Sequence, residues 1–147
     1  KLDIGDILIS RDGLHHDMDA TIFGYQPGEG PQMGFREFKA DERMMELARE
    51  ACEKANPDIH VMFGRVVSGD QFISSKEVKE RLIAQFQGDC TEMEGASIAH
   101  GAYLNSLPFV IIRAISDKAD DSATMDYPTF ETAAPKHSAA LMKEMIK

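Results

Sequence analysis

The chain has 147 residues, 43% of them hydrophobic and 28% charged, with a formal net charge of −9. That length suits one domain and argues against two independent cores. The 25 acidic residues outnumber the 16 basic ones, which argues against a nucleic-acid footprint or an anionic membrane surface.

No apolar run approaches the roughly 20 residues of a membrane span, and no basic-then-apolar leader opens the sequence. Cys52 and Cys90 are too few for a disulfide framework, so a reduced, cytoplasmic setting is expected. The chain opens on Lys1 and passes almost at once into Ile7-Leu8-Ile9, as though it began inside a fold.

In chain order, Asp6 to Ser10 predicts a strand. Gly13 to Phe38 predicts a long, ordered loop rich in His, Asp, Gly, Pro and aromatics. Asp41 caps a helix over 41–56, ended by Asn56-Pro57. His60 to Ser68 predicts a strand with a bend at Gly64. Ser74-Ser75-Lys76-Glu77 predicts a capping box for a helix to about Phe86, stopped by Gln87-Gly88. Asp89 to Glu92 is ambiguous, and Gly95 to Asn105 predicts a helix. Pro108 to Ile115 has the apolar run of a buried central strand. A polar loop follows, and Pro128 to Ile146 predicts a closing helix, with Pro135 in its first turns or kinking it. The alternation of strands and helices implies a layered α/β fold.

Ligands in such folds gather beyond the carboxyl ends of strands. Three segments meet that condition. Asp117, after the most apolar strand, is a candidate general acid, because lost solvation raises a carboxyl pKa; it could equally cap a turn. Glu92 and Glu94 flank Met93. They are either a pair facing one side of a strand or a strand-to-helix junction with Glu94 aimed at a diol; the plain alternative is a solvated pair at a helix start. Phe72, after Ser68-Gly69-Asp70, offers a flat face to a planar ligand or is simply core. His15-His16-Asp17-Met18-Asp19 has no zinc spacing, and no metal is expected. No phosphate-binding glycine motif occurs, and no cofactor is expected.

Taken together, these stretches resemble a known family. Gly5-Asp6-Ile7, His16-Asp17, Phe23-Gly24-Tyr25, Phe38-Lys39-Ala40-Asp41, Ser68-Gly69-Asp70, Phe72-Ile73, Glu92-Met93-Glu94 and Arg113-Ala114-Ile115-Ser116-Asp117 occur in the order of the 5′-methylthioadenosine/S-adenosylhomocysteine nucleosidases. The match corresponds to the C-terminal two-thirds of that family. The resemblance implies a three-layer α/β/α nucleoside phosphorylase-like fold with a central mixed sheet, residues 1–147 forming an incomplete single domain. It implies a homodimeric hydrolase that splits the N-glycosidic bond of either nucleoside and releases adenine, within methionine salvage.

By matching position, Asp117 would protonate adenine N7 and Ser116 would hold Asp117. Phe72 would stack on adenine and backbone groups of Ile73 would read its edge. Met93 and Glu94, with Glu92 beside them, would bind the ribose, and Tyr127 would lie against the sugar. Phe23 and Pro31 would reach across a dimer interface to the alkylthio group. The family's water-activating Glu and its Gly-rich segment match no residue here, so the chain alone is expected to be a catalytically incomplete fragment. Purine nucleoside phosphorylases and futalosine hydrolases of the same fold are the alternatives.

Overall fold

In the computed structural model, residues 2–119, 130 and 134–147 are described. The centre is strand β1 (Ile7–His15), which lies parallel to β3 (Val61–Ser68) from Ile7 to His15. Its other side is divided. Strand β5 (Ile112–Ala114) pairs antiparallel with Ile7 to Ile9, and β2 (Phe38–Lys39) pairs antiparallel with Asp12 and Gly13. Strand β4 (Cys90–Glu92) adds in parallel to β3. The sheet is therefore mixed, as expected.

β1 runs five residues beyond its expected end at Ser10, and the loop expected from Gly13 starts later. A register shift between Ser10 and Asp12 leaves Arg11 as an extra residue. A bulge of this kind reverses the parity of every later side chain. Ile7 and Ile9 thus share a face with Leu14, five positions on, through their partners Val61, Phe63 and Val67.

Helices cover both faces. Helix α1 (Glu42–Ala55) and the closing helix α4 (Ala134–Met145) bury Ala48, Ala51, Cys52 and Leu141 against Ile7 and Ile9. Helix α2 (Lys76–Phe86) covers the far end of the same face, burying Leu82 and Phe86 against Leu14 and Val67. Helix α3 (Gly95–Leu104) covers the opposite face, where Ala99 meets Leu8 and Val66. Three layers result. Among the described residues no helix is long and apolar enough to cross a membrane.

Local signals explain most boundaries. Asp41 accepts the Met44 N–H at 2.8 Å and caps α1. Asn56 ends that helix, and its side-chain amide donates to the His137 carbonyl at 3.2 Å, tying α1 to α4. The expected capping box does not form. Ser75 is the N-cap of α2 and makes no side-chain bond there. Gln87 closes α2 with φ 52.

The expected buried central strand over 108–115 is also corrected. Only Ile112–Ala114 forms a ladder, and all three are half-buried. Pro108 lacks a donor, and beside it the Ser10 hydroxyl takes the Ile111 N–H at 2.8 Å in place of a ladder partner. The expected start of the closing helix at Pro128 lies outside the described residues. Pro135 stands in the first turn of the described helix, where its missing N–H is tolerated.

Candidate active site

β5 delivers Ser116 and Asp117 just past its end. The Asp117 carboxylate accepts the Ser116 hydroxyl at 2.9 Å and the Ala119 N–H at 2.7 Å. Ala119 has φ 50, and this left-handed turn aims its N–H back at the carboxylate. The next residue, Lys118, forms an ion pair with Asp3, and its carbonyl receives Lys79. The segment after β5 is thus held from two sides. It walls a cavity of about 430 Å³ that Glu92, Arg113, Thr91 and Cys90 also line.

Glu92 ends β4 and Glu94 is the N-cap residue of α3, so the pair straddles a strand-to-helix junction. Their environments differ. The Glu92 side chain is 4% exposed and that of Glu94 is 60% exposed. Glu92 accepts the Gly95 N–H at 2.8 Å, the Glu94 N–H at 3.2 Å and the Ser68 hydroxyl. The Ser68 oxygen in turn accepts the Ala96 N–H at 2.8 Å. A buried carboxylate therefore satisfies donors that the first turn of α3 leaves open, with the helix dipole in its favour.

Arg113 is a cavity-lining residue that the spacing arguments pass over. Its guanidinium lies 3.4 Å from Glu92 and 3.4 Å from Glu94, bridging β5 to the start of α3. One signal was available: a single Arg within the apolar run 108–115 is costly unless an acid meets it.

The other expected site residues among the described ones lie off this cavity wall. Ile73 is buried with Leu82 and Phe86. Phe72 is 49% exposed and Met93 is 40% exposed, and neither lines the cavity. Phe23 is 80% exposed at the end of a 3-10 turn (Thr21–Phe23), and Pro31 is exposed as well; neither lines the cavity. Tyr127 lies outside the described residues.

The thiols are poor nucleophiles. Burial pushes the Cys90 thiol up to about 12, with the nearby Glu92, Asp117 and Asp89 charges adding to the rise and Arg113 opposing it. Burial also raises Cys52. His15 and His16 are both held below the usual histidine pKa, chiefly by burial. Among the described residues no three His, Cys, Asp or Glu side chains gather as a metal site.

Chemically, the site offers a carboxyl group held by two donors at a strand end. On the same cavity wall stand the Glu92 carboxylate and the Arg113 guanidinium, which reaches both acids at the α3 junction. Such a set can exchange a proton with a ligand and hold hydroxyl groups.

Comparison with known proteins identifies the family and the fold. A family model described as "Phosphorylase superfamily" matches residues 1–147. The 5′-methylthioadenosine/S-adenosylhomocysteine nucleosidase of Desulfotalea psychrophila is 40% identical, over 100% of this chain and 62% of the relative. That of Treponema pallidum is 36% identical, over 100% of this chain and 63% of the relative. The solved Neisseria meningitidis nucleosidase, in complex with methylthio-immucillin-A, superposes with a TM-score of 0.93 at 37% identity, covering 99% of this chain and 63% of that one. The native futalosine hydrolase of Helicobacter pylori gives a TM-score of 0.91 at 34% identity, covering 99% and 61%. The chain thus spans less than two thirds of the length of the relatives it matches.

Proposed function

The chain belongs to the phosphorylase superfamily, and from that premise we propose that it carries the acid and the substrate-holding surface of a nucleosidase. The reaction is hydrolysis of the N-glycosidic bond of 5′-methylthioadenosine and S-adenosylhomocysteine, with release of adenine. One observation carries the reading. Asp117 sits past a strand end, held by Ser116 and by the Ala119 N–H, on a cavity wall shared with Glu92 and Arg113.

Anionic adenine is a poor leaving group, so bond cleavage needs a proton donor. In the proposal Asp117 gives its proton to N7 of the departing base, while Ser116 fixes the carboxyl orientation. Phe72 stacks on the base and the Ile73 backbone meets its edge. The sugar turns cationic as the bond stretches. Glu94, ordered by Arg113, takes the ribose hydroxyls, and Met93 covers the sugar's apolar side. Hydrogen bonds to those hydroxyls strengthen as charge develops, so they favour the transition state over bound substrate. Glu92 holds the α3 start that presents Met93 and Glu94. Tyr127 is assigned to the sugar and its 5′ substituent.

We further propose that the protein is a homodimer in the cytoplasm. Ile22 and Phe23, 87% and 80% exposed, would be covered by a second copy, with Pro31 beside the partner's 5′ pocket. The unpaired thiols of Cys52 and Cys90 suit a reducing compartment.

The test is methylthioadenosine turnover by the complete protein, of which this chain is part, with and without phosphate and with the sugar product identified. Phosphate-independent release of adenine and free methylthioribose is expected. Strict phosphate dependence with a sugar 1-phosphate product would overturn the hydrolase in favour of a phosphorylase. The likeness to futalosine hydrolase makes futalosine the competing substrate. Turnover of futalosine alone would reassign the 5′ specificity.

A further inference from the structure

The motif His15-His16-Asp17 takes no part in the chemistry above, yet the fold places it against the substrate turn. Asp17 lies just beyond the end of β1, and its carboxylate accepts the Asp70 N–H at 2.7 Å across 53 positions of sequence. The His16 N–H donates to the Ser68 carbonyl at 2.8 Å. Between these two ties lies Gly69, whose own N–H reaches the Glu92 carbonyl at 3.2 Å.

The His16 ring lies against Gly69. A Cβ there would stand 2.4 Å from His16 Cε1 and 2.9 Å from Asp17 Cγ. His16 Nε2 is buried without a hydrogen-bond partner, and burial favours the neutral ring. The ring therefore acts as a plate over the turn and not as a donor or acceptor. Phe72 follows this turn by two residues, and Glu92 is bonded to it through Ser68.

We propose that Asp17 and His16 form a clamp that positions the Ser68–Asp70 turn, and through it the aromatic face of Phe72, for binding the purine base. Asp17 is a positioning residue that touches no substrate. The inference rests on the nucleosidase reading, but it concerns the base-binding half of the site and leaves the acid Asp117 untouched. The prediction is a split. Loss of the clamp weakens base binding, while chemistry on bound substrate proceeds.

The experiment measures adenine dissociation constants by calorimetry, together with KM and kcat for methylthioadenosine, on three variants made in the complete protein. Asp17→Ala is expected to weaken adenine binding and raise KM about fivefold, the scale of one exposed charge-assisted hydrogen bond, with kcat within about twofold. Asp17→Asn keeps an acceptor oxygen and is expected to restore binding to within about twofold. Gly69→Ala, which drives a Cβ into His16, is expected to weaken binding like Asp17→Ala or more. Circular dichroism and the thermal midpoint show that each variant is folded.

Unchanged adenine affinity in folded Asp17→Ala overturns the clamp while leaving the nucleosidase reading intact. Equal loss in Asp17→Ala and Asp17→Asn also overturns it, because the acceptor is then not what matters. Failure of the unaltered protein to bind adenine at millimolar concentration overturns both.

Discussion

Arg65 and Asp12 meet as a two-pronged ion pair across β1 and β3, Nε to Oδ1 and Nη2 to Oδ2 both at 2.8 Å. Each side chain is 18% exposed. Arg65 spends a further donor on the Phe86 carbonyl at 3.0 Å, so the pair also holds the end of α2. Asp12 faces Arg65 because the extra residue at Arg11 turns it to that side. Asp12→Ala leaves a half-buried guanidinium short of its partner. It is expected to cost about 2–3 kcal/mol, read as a lower urea midpoint with an unchanged m-value.

Asp117→Asn keeps the shape of the side chain and removes its proton donor. The proposed role predicts a fall in kcat of about 10²- to 10⁴-fold with little change in thermal midpoint. Steady-state kinetics beside a melting curve check this. Activity within threefold of the parent in a folded variant of the complete protein would remove Asp117 from the acid role.

Ser68→Ala breaks the bond from Ser68 to Glu92 and the one from the Ala96 N–H to Ser68. It leaves a buried carboxylate and a buried N–H each one partner short. The expected loss is about 2 kcal/mol of stability, measured by chemical denaturation. Ser68→Thr is expected to keep part of it if the larger side chain fits.

Stability is expected to fall in mild acid. Burial lowers the pKa of His15 and His16 in the folded chain from an unfolded value near 6.5. The folded state therefore refuses protons that the unfolded state accepts. Stability is full above about pH 6.5 and declines as pH drops through that value toward the lowered folded pKa. Melting curves at steps from pH 7.5 to 5.0 test the slope. His15→Phe, within the ring cluster formed with Phe38 and His100, is expected to flatten it.

Cys90 should resist alkylation. With its thiol at about 12, the reactive thiolate is scarce at pH 8. Labelling by iodoacetamide is expected to be at least 100-fold slower in the native protein than in denaturant. Peptide mapping by mass spectrometry separates Cys90 from Cys52.

Much of this was legible in the residues. Helix α1 could be read from Asp41 to Asn56 because its cap, its apolar spacing and its stop are all local. The Ser-Asp end of β5 and the Glu92–Glu94 pair could be found because each follows directly on an apolar or strand-like run. The rest depended on distant partners. Arg11-Asp12-Gly13 looks like the end of a strand, since a bulge erases the alternation that marks one. Asp12 makes sense only beside Arg65, and Asp17 only beside Asp70. The 108–115 run promised a central strand because hydrophobicity reports burial, not hydrogen-bond pairing. The Ser75 cap failed for a local reason that the motif could not show: the helix starts one residue later than the box requires.

The cluster that joins Ile7 and Ile9 to Leu141 has a consequence for biosynthesis. A ribosome makes β1 well before α4. One face of the first half of β1 therefore waits, incompletely covered, while well over a hundred residues are added. The second half does not wait as long, because Leu14, Val67 and Phe86 can meet once α2 has emerged. Nascent-chain folding should begin around the bulge-distal half of β1 and close at its start. The two halves of one strand are thus sealed at different times, each by a helix made after it.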